Sequence, residues 1–353
     1  MAVAVRTRPA APAHEEVVFV RGPRSGVPMG VAIHSTALGP ALGGLRIWHY
    51  PRAEDAERDA LRLSKGMTLK AAAAGLDLGG GKGVICAPRA GLLATRRRDA
   101  LLDFGDLVES LGGRYVTAED VGVTPRDIAV VAERTAHVTG LPPEDGGSGD
   151  PSPVTAVGVA AAMLACARER WGGRALAGAV VAIVGVGHVG GRLARLLRDR
   201  GCELLVSDVD PSRRAVAEAL GARWIGPGSA MRAPADILAP CALGGAITHD
   251  GIAGLGCEIV CGAANNQLAD DSLAGELAAA GVLYGPDFIA NAGGLINVYR
   301  EIGGYSEAQA MRTARGIEQT MAAVLERARH SGTTPLAAAR ALAGERLGAV
   351  VAD

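Results

Sequence analysis

Three features of the chain predict an α/β fold in two domains. From residue 180 onward, apolar runs of strand length alternate with amphipathic runs of helix length. Glycine is abundant, at 50 of 353 residues, but it falls in short clusters between those runs and not in low-complexity tracts. A stretch dense in Pro, Gly and Asp, "LPPEDGGSGDPSP" at 141–153, separates the alternating part from an earlier block that ends near residue 140. Repeated β–α units of this length specify a parallel, doubly wound sheet, because parallel strands need a long crossover. With 49% apolar residues, each domain can bury a core of its own.

The elements follow in order. "EVVFV" and "GVAIHS" read as short strands between Gly and Pro turns. A helix starts at Ala53, with Glu54, Asp55 and Glu57 near its positive end and Ala56, Ala60, Leu63 and Met67 at helical spacing. "GVICAP", after Lys82, is a buried strand, "DALLDFGDLVESLG" a helix, and "RYVTAEDVG" a strand running into a loop. Beyond the linker come an Ala-rich helix over 154–171 and the strand Val180 to Val184. A Gly-rich turn and a helix starting near Val189 come next, and then the strand "ELLVSD". "DILAPCA", "CEIVCGA" and "GVLYGPD" continue the alternation. "EAQAMRTARGIEQTMAAVLERAR" is one long helix, and "TPLAAARALAGERLGAV" a last one with Pro in its first turn.

Composition narrows the function. A net charge of -1 leaves no electrostatic footprint for nucleic acid or an anionic membrane. No stretch is apolar for the length of a bilayer span. The start, "MAVAVRTRPAAPAHEE", reads as a frayed lead-in without the apolar centre of a signal peptide. Six scattered cysteines lack metal spacing, so no metal is expected, and Cys257 and Cys261 read as small buried apolar groups. The expectation is a soluble, cytoplasmic protein acting on a small molecule.

"GVGHVG" sets Gly185, Gly187 and Gly190 in GxGxxG spacing, directly after a strand and ahead of a helix. Such glycines permit a tight turn, the approach of a pyrophosphate to Val186, His188 and Val189 backbone at a helix N-terminus, and close helix–strand packing. Asp208 ends the second strand, where a carboxylate accepts hydrogen bonds from a ribose diol and repels a 2′-phosphate. A Rossmann-type domain binding NAD is the reading. His188 is read as incidental to the chemistry.

Of 36 basic residues only Lys65, Lys70 and Lys82 are lysine. Burial and a neighbouring cation can bring a lysine to neutrality, whereas arginine stays charged. Lysines kept in an arginine-writing chain therefore point to a titrating base or a fitted ammonium. Two ammonium groups in one pocket would serve as a carboxylate clamp and a general base. Lys70 lies on a helix or just past its end, and Lys82 follows three glycines that leave a ligand room. Lys65 reads as a solvated cation in a helix's last turn. Asp120, or Glu119 beside it, is the candidate acid, in a loop after an apolar strand.

"LGPALGG", "GMTLKAAAAGLDLGGGKGVI", "GGRYVTAEDVG", "APCALGG", "CGAANNQLA" and "YGPDFIANAGGLINV" together resemble the leucine, valine and phenylalanine dehydrogenases. These belong to the amino-acid dehydrogenase superfamily that includes glutamate dehydrogenase, and the valine and leucine enzymes are the most similar. The resemblance runs from about residue 16 to the end. It implies NAD-dependent, reversible oxidative deamination of an apolar, branched-chain L-amino acid, valine or leucine, with another apolar or aromatic amino acid as the alternative. It implies an N-terminal α/β substrate and oligomerisation domain, a Rossmann-type NAD-binding domain and an interdomain cleft. The last helix would return to the first domain, giving 1–140 plus 331–353 and 141–330. It makes Lys70 the carboxylate ligand, Lys82 the base that activates water and Asp120 the proton shuttle. Gly43 and Gly44 backbone groups and Asn265 would hold the carboxylate. Thr155, Asn265 and Asn291 would lie by the nicotinamide. Leu42, Met67, Ala118, Leu295 and Val298 would line an apolar side-chain pocket. A Leu at 42, where glutamate enzymes carry Lys, disfavours glutamate, and a bulky Leu295 disfavours phenylalanine. Tyr299 and Arg300 depart from the family pattern. A homo-oligomer is implied, and retention of Lys70, Lys82 and Asp120 argues against a silent NAD-binding paralogue.

Overall fold

Alternating apolar residues in the first 120 positions build a six-stranded mixed sheet. The computed structural model describes residues 6–7, 14–173 and 175–351. The strands are β1 (Arg6–Thr7), β2 (Glu16–Arg21), β3 (Pro28–Ser35), β4 (Ala41–Trp48), β5 (Gly79–Cys86) and β6 (Tyr115–Glu119), in spatial order β1-β2-β3-β5-β4-β6. β4 runs parallel to both β5 and β6, while β3 is antiparallel to β5. Helices α1 (Ala53–Ala73), α2 (Ala94–Ser110) and α3 (Pro125–Ala132) complete this part. On one sheet face Val31, Leu45, Ile85, Phe104, Leu107 and Tyr115 belong to the main core, with α2 residues among them. On the other, Ala56 and Ala60 of α1 pack with Val17, Ala32 and Val84. Small residues on α1 let the helix lie close to the strands.

β4 is missing from the expected strands, because its two central glycines break the apolar alternation. β5 begins at Gly79, so the glycine triplet is strand, and the room expected there for a ligand is filled by Ser35, Thr68 and Tyr115. Lys65 is exposed but lies eight residues before the end of α1, not in its last turn. Helix α3 was also not expected, although "TPRD" carries its signal. Thr124 and Asp127 form a reciprocal cap, with Pro125 at the first helical position. The lead-in expected over 1–16 falls mostly outside the described residues. Within them Arg6–Thr7 pairs with Phe19 and Val18.

The second part alternates as the pattern demands. Its elements are α4 (Ser152–Arg170), β7 (Val180–Val184), α5 (His188–Arg198), β8 (Glu203–Ser207), α6 (Arg214–Ala219), β9 (Arg223–Trp224) and α7 (Pro227–Ala230). There follow β10 (Ile237–Pro240), α8 (His249–Ile252), β11 (Ile259–Val260), α9 (Leu273–Ala279), β12 (Leu283–Tyr284), α10 (Asp287–Ala290) and α11 (Gly293–Tyr299). Last come α12 (Glu307–Arg315), α13 (Ile317–Ser331) and α14 (Pro335–Val351). All six strands are parallel, in order β12-β11-β10-β7-β8-β9. This order reverses at β7, as in a Rossmann-type sheet. The long helix expected over 307–329 is two, separated at Gly316.

The chain divides into two compact units. One runs through Gly149 and takes in Val298–Ser306 and the chain from Ala343; the other holds Asp150–Asn297 and Glu307–Leu342. All six cysteines are free, and burial pushes the Cys241 thiol up to about 12. Among the described residues no helix is long and apolar enough to cross a membrane. No cluster there is arranged to hold a metal ion.

Candidate active site

In the first unit the two-residue period of a strand decides which side chains meet. Leu42 pairs with Gly80 across β4 and β5, and Gly44 with Ala118 across β4 and β6. Leu42, Gly44 and Arg46 therefore share a face with Gly80, Lys82, Ala118 and the residue two beyond it, Asp120. Helix α1 covers this face. A Cβ on Gly80 would come within 2.1 Å of the Thr68 backbone nitrogen, and one on Gly44 within 2.8 Å of the Asp120 Cβ. The opposite face takes the aromatics: a Cβ on Gly81 would lie 2.6 Å from the Tyr115 ring, and one on Gly83 2.5 Å from Phe104. The Tyr115 hydroxyl donates to the Gly43 carbonyl.

Lys82 and Asp120, 38 residues apart in sequence, meet directly. The Lys82 Nζ donates to Asp120 Oδ2 at 2.7 Å, and the lysine is only 5% exposed. Burial pushes the ammonium below the usual lysine range, against the opposing pull of Asp120. Burial by itself would raise the Asp120 carboxyl; Lys82 and Arg46 outweigh it and hold the group below the usual carboxylate range.

Arg46 is the partner that the sequence did not single out. Its Nε donates to Asp120 Oδ2 at 2.8 Å, and its Nη1 donates to Asp59 Oδ2 on α1 at 2.9 Å. Asp59 also accepts from the Tyr50 hydroxyl and from Arg62, each at 2.8 Å. Recognition of β4 as a strand was the missing signal, since Arg46 then falls on the face of Gly44. An open depression of about 550 Å³ flanks the network, lined in part by Arg46, Trp48, Tyr50, Asp59 and Arg62. It reaches the outer side of Arg46 and does not include Lys82 or Asp120.

The structure also describes the other expected residues of this unit. Lys70 is on α1, within the helix, and both it and Met67 are half-buried. Leu42 is 2% and Ala118 5% exposed, so both present apolar surface to the interior. Gly43 and Gly44 sit in the ladder opposite Thr117 and Ala118. Val298 is half-buried.

In the second unit the glycine turn follows β7, where the strand order reverses. Gly185 has φ of +100° and a Cβ on Gly190 would come within 1.9 Å of the Gly185 carbonyl, so both positions require glycine. A Cβ on Gly187 would meet nothing within 4 Å, which leaves open space at the start of α5. Asp208 comes directly after β8, one residue beyond the strand end, and its Oδ2 accepts from the Val186 backbone N–H at 2.9 Å. A dinucleotide would fit this arrangement: Gly187 leaves room for pyrophosphate beside the backbone at the start of α5, while the Val186 N–H is taken up in holding the Asp208 carboxylate where a ribose diol would bind. His188 opens α5, highly exposed, with its Nδ1 4.0 Å from an Asp150 oxygen.

Asn265 and Asn291 are brought together, with the Asn291 Nδ2 donating to Asn265 Oδ1 at 2.9 Å. The same amide nitrogen donates to the Ala263 and Ala264 carbonyls, at 3.2 and 3.3 Å. Thr155 on α4 packs against Gly293, where a Cβ would lie 2.5 Å from the Thr155 Cα. Leu295, on α11, is 5% exposed.

A Rossmann-type unit with a dinucleotide turn, and a mixed-sheet unit with a buried Lys–Asp pair, define a nicotinamide-dependent dehydrogenase class. Residues 14–137 match the Glu/Leu/Phe/Val dehydrogenase dimerisation-domain family, and 210–349 match the Glutamate/Leucine/Phenylalanine/Valine dehydrogenase family. The chain belongs to this family and is an amino-acid dehydrogenase. It is 44% identical to the leucine dehydrogenase of Thermoactinomyces intermedius over 337 residues, covering 95% of this chain and 91% of that protein. It is also 44% identical to the valine dehydrogenase of Streptomyces virginiae over 348 residues, covering 95% and 94%. The crystal structure of L-tryptophan dehydrogenase from Nostoc punctiforme superposes with a TM-score of 0.86 at 40% identity, covering 97% and 98%.

Proposed function

We propose that the protein catalyses the reversible, NAD-dependent oxidative deamination of an apolar L-amino acid, with valine and leucine leading. One amino acid, one water and NAD⁺ give one 2-oxo acid, ammonium, NADH and a proton. The observation that carries this reading is the buried Lys82 bonded to Asp120. When bound, NAD accepts the hydride from the substrate Cα. Lys70, aided by Asn265 and the backbone of Gly43 and Gly44, holds the substrate carboxylate. Lys82, whose ammonium burial pushes below the usual lysine range, takes in its neutral form a proton from the water that attacks the imino carbon. Asp120 takes a proton from the substrate nitrogen and returns it to the departing amine.

Thr155, Asn265 and Asn291 would hold the nicotinamide half of NAD. The Gly185–Gly190 turn would hold its pyrophosphate and Asp208 its ribose diol, in favour of NAD over NADP. An apolar, buried Leu42 supports an apolar substrate, because a glutamate side chain there would leave a carboxylate without a partner, at a cost of several kcal/mol. Met67, Ala118, Leu295 and Val298 would complete that pocket. Assembly as a homo-oligomer is supported by the match of residues 14–137 to a dimerisation domain.

A second reading, an aromatic amino acid as substrate, is supported by the likeness to the tryptophan dehydrogenase. NADH and NADPH formation at alkaline pH over a panel of L-amino acids separates the two. Branched-chain substrates with NAD are expected to lead by at least ~10-fold, the scale of one methylene's discrimination. Tryptophan or phenylalanine leading would establish the second reading, and no turnover with any would remove both.

A further inference from the structure

Lys82 Nζ and Arg46 Nε both bond one oxygen of Asp120, Oδ2, at 2.7 and 2.8 Å, and neither bond uses Oδ1. Arg46 is braced from behind by Asp59, and Asp59 by Tyr50 and Arg62. Only a planar guanidinium can reach two carboxylates on different elements with fixed geometry; an ammonium acts as a single point charge. The Arg46 side chain is 21% exposed and that of Asp59 is 17% exposed, so the brace is largely shielded from water. We propose that Arg46 is the positioning residue of the deamination site: by bridging Asp59 and Asp120 it pins Oδ2 on Lys82 and reserves Oδ1 for the substrate nitrogen.

The geometry carries a second consequence. Around Asp120 stand Lys82 on β5, Arg46 on β4, Asp59 and Arg62 on α1, Tyr50 ahead of it, and Glu119 next in the chain; Tyr115 lies on the opposite sheet face. Arg46 shares an Asp120 oxygen with Lys82, so its charge opposes protonation of the lysine, the direction its Coulomb effect takes. Removing that cation should raise the pH at which Lys82 loses its proton.

The inference rests on the deamination reading for its rate measurements, and a titration tests it independently of any substrate. With only three lysines in the chain, protein labelled with [ε-¹³C]lysine gives three resonances, and Lys82→Arg assigns one of them. In Arg46→Gln the Lys82 midpoint should rise by about one pH unit or more, the scale of losing one nearby charge. The acid limb of kcat/KM should move with it. Arg46→Lys keeps the cation without the two-carboxylate bridge and adds a fourth resonance, told from that of Lys82 by the double variant Arg46→Lys/Lys82→Arg. Its Lys82 midpoint should stay near the wild-type value while kcat falls about 10- to 100-fold and KM changes little, as for a misplaced reacting group.

An unmoved Lys82 midpoint in folded Arg46→Gln, or full kcat in Arg46→Lys, overturns the proposal. If Arg46→Gln does not fold, Arg46→Lys decides alone through its kcat and KM. Should the wild type turn over no amino acid, the deamination reading fails. The Lys82 midpoint in Arg46→Gln then still decides whether Arg46 governs this pair.

Discussion

Glycine does opposite things in β5 and in the turn after β7. In β5 the space left by each missing side chain is already filled, by the α1 backbone at Gly80, Tyr115 at Gly81 and Phe104 at Gly83. In the turn, Gly187 faces open space. The first region uses glycine to bring a helix and two aromatic rings onto a strand, and so to bury the Lys82 ammonium. The second uses it to leave open space beside the backbone at the start of α5. In the proposed reaction one site works through a titrating side chain, the other through bare backbone.

The contrast can be broken first at its reactive side chain. Lys82→Arg keeps the charge but cannot titrate, so deamination should fall by at least ~100-fold, the scale of losing a general base. In the wild type, kcat/KM should rise with pH as Lys82 loses its proton, because only the neutral amine accepts one. Burial places that limb below the ordinary lysine range. Near-normal turnover by the arginine variant would remove the base from the mechanism.

Gly80→Ala tests the packed side of the comparison. A Cβ 2.1 Å from the Thr68 backbone nitrogen forces α1 or β5 to shift, costing about 1–3 kcal/mol as overpacking does. Thermal melting should show a lower Tm with dinucleotide absent. An unaltered Tm would mean that the helix sits less firmly on the strand than the geometry requires.

Gly187→Ala has the smallest expected effect and the opposite signature. Nothing in the free chain opposes the new methyl group, so Tm should stay within the few tenths of a kcal/mol usual for a surface change. The KM for dinucleotide should rise about 10-fold, since the methyl group would stand where pyrophosphate approaches the backbone. A fall in Tm without a change in KM would reverse the roles assigned to the two regions.

Much of the second unit was legible because its signals are local. Strand Val180–Val184, the GxGxxG turn, the helix after it and the acid at 208 lie within 29 consecutive residues, and the structure joins Asp208 to Val186. The first unit was harder to read. "GGGK" carries no strand signal because glycine disfavours strands on its own, and only the rings and helix packed around it explain its extended backbone. "ALGGLRIW" hid a strand for the same reason, and with it the role of Arg46. The single helix expected over 307–329 failed at Gly316, where the residue's flexibility prevailed over an unbroken amphipathic pattern.

The order of residues by itself determined the class of fold, the glycine turn and the pair of candidate lysines, since each rests on local periodicity or on a residue type with one chemical advantage; the resemblance to the amino-acid dehydrogenases is what chose Lys82 as base and Asp120 over Glu119. Only the tertiary structure decided that Arg46 joins them. It stands 74 residues from Asp120 in sequence, and no local spacing encodes that approach. It arises from strand register, which sets β4 beside β6, and from the α1 helix, whose Asp59 holds the guanidinium's other arm.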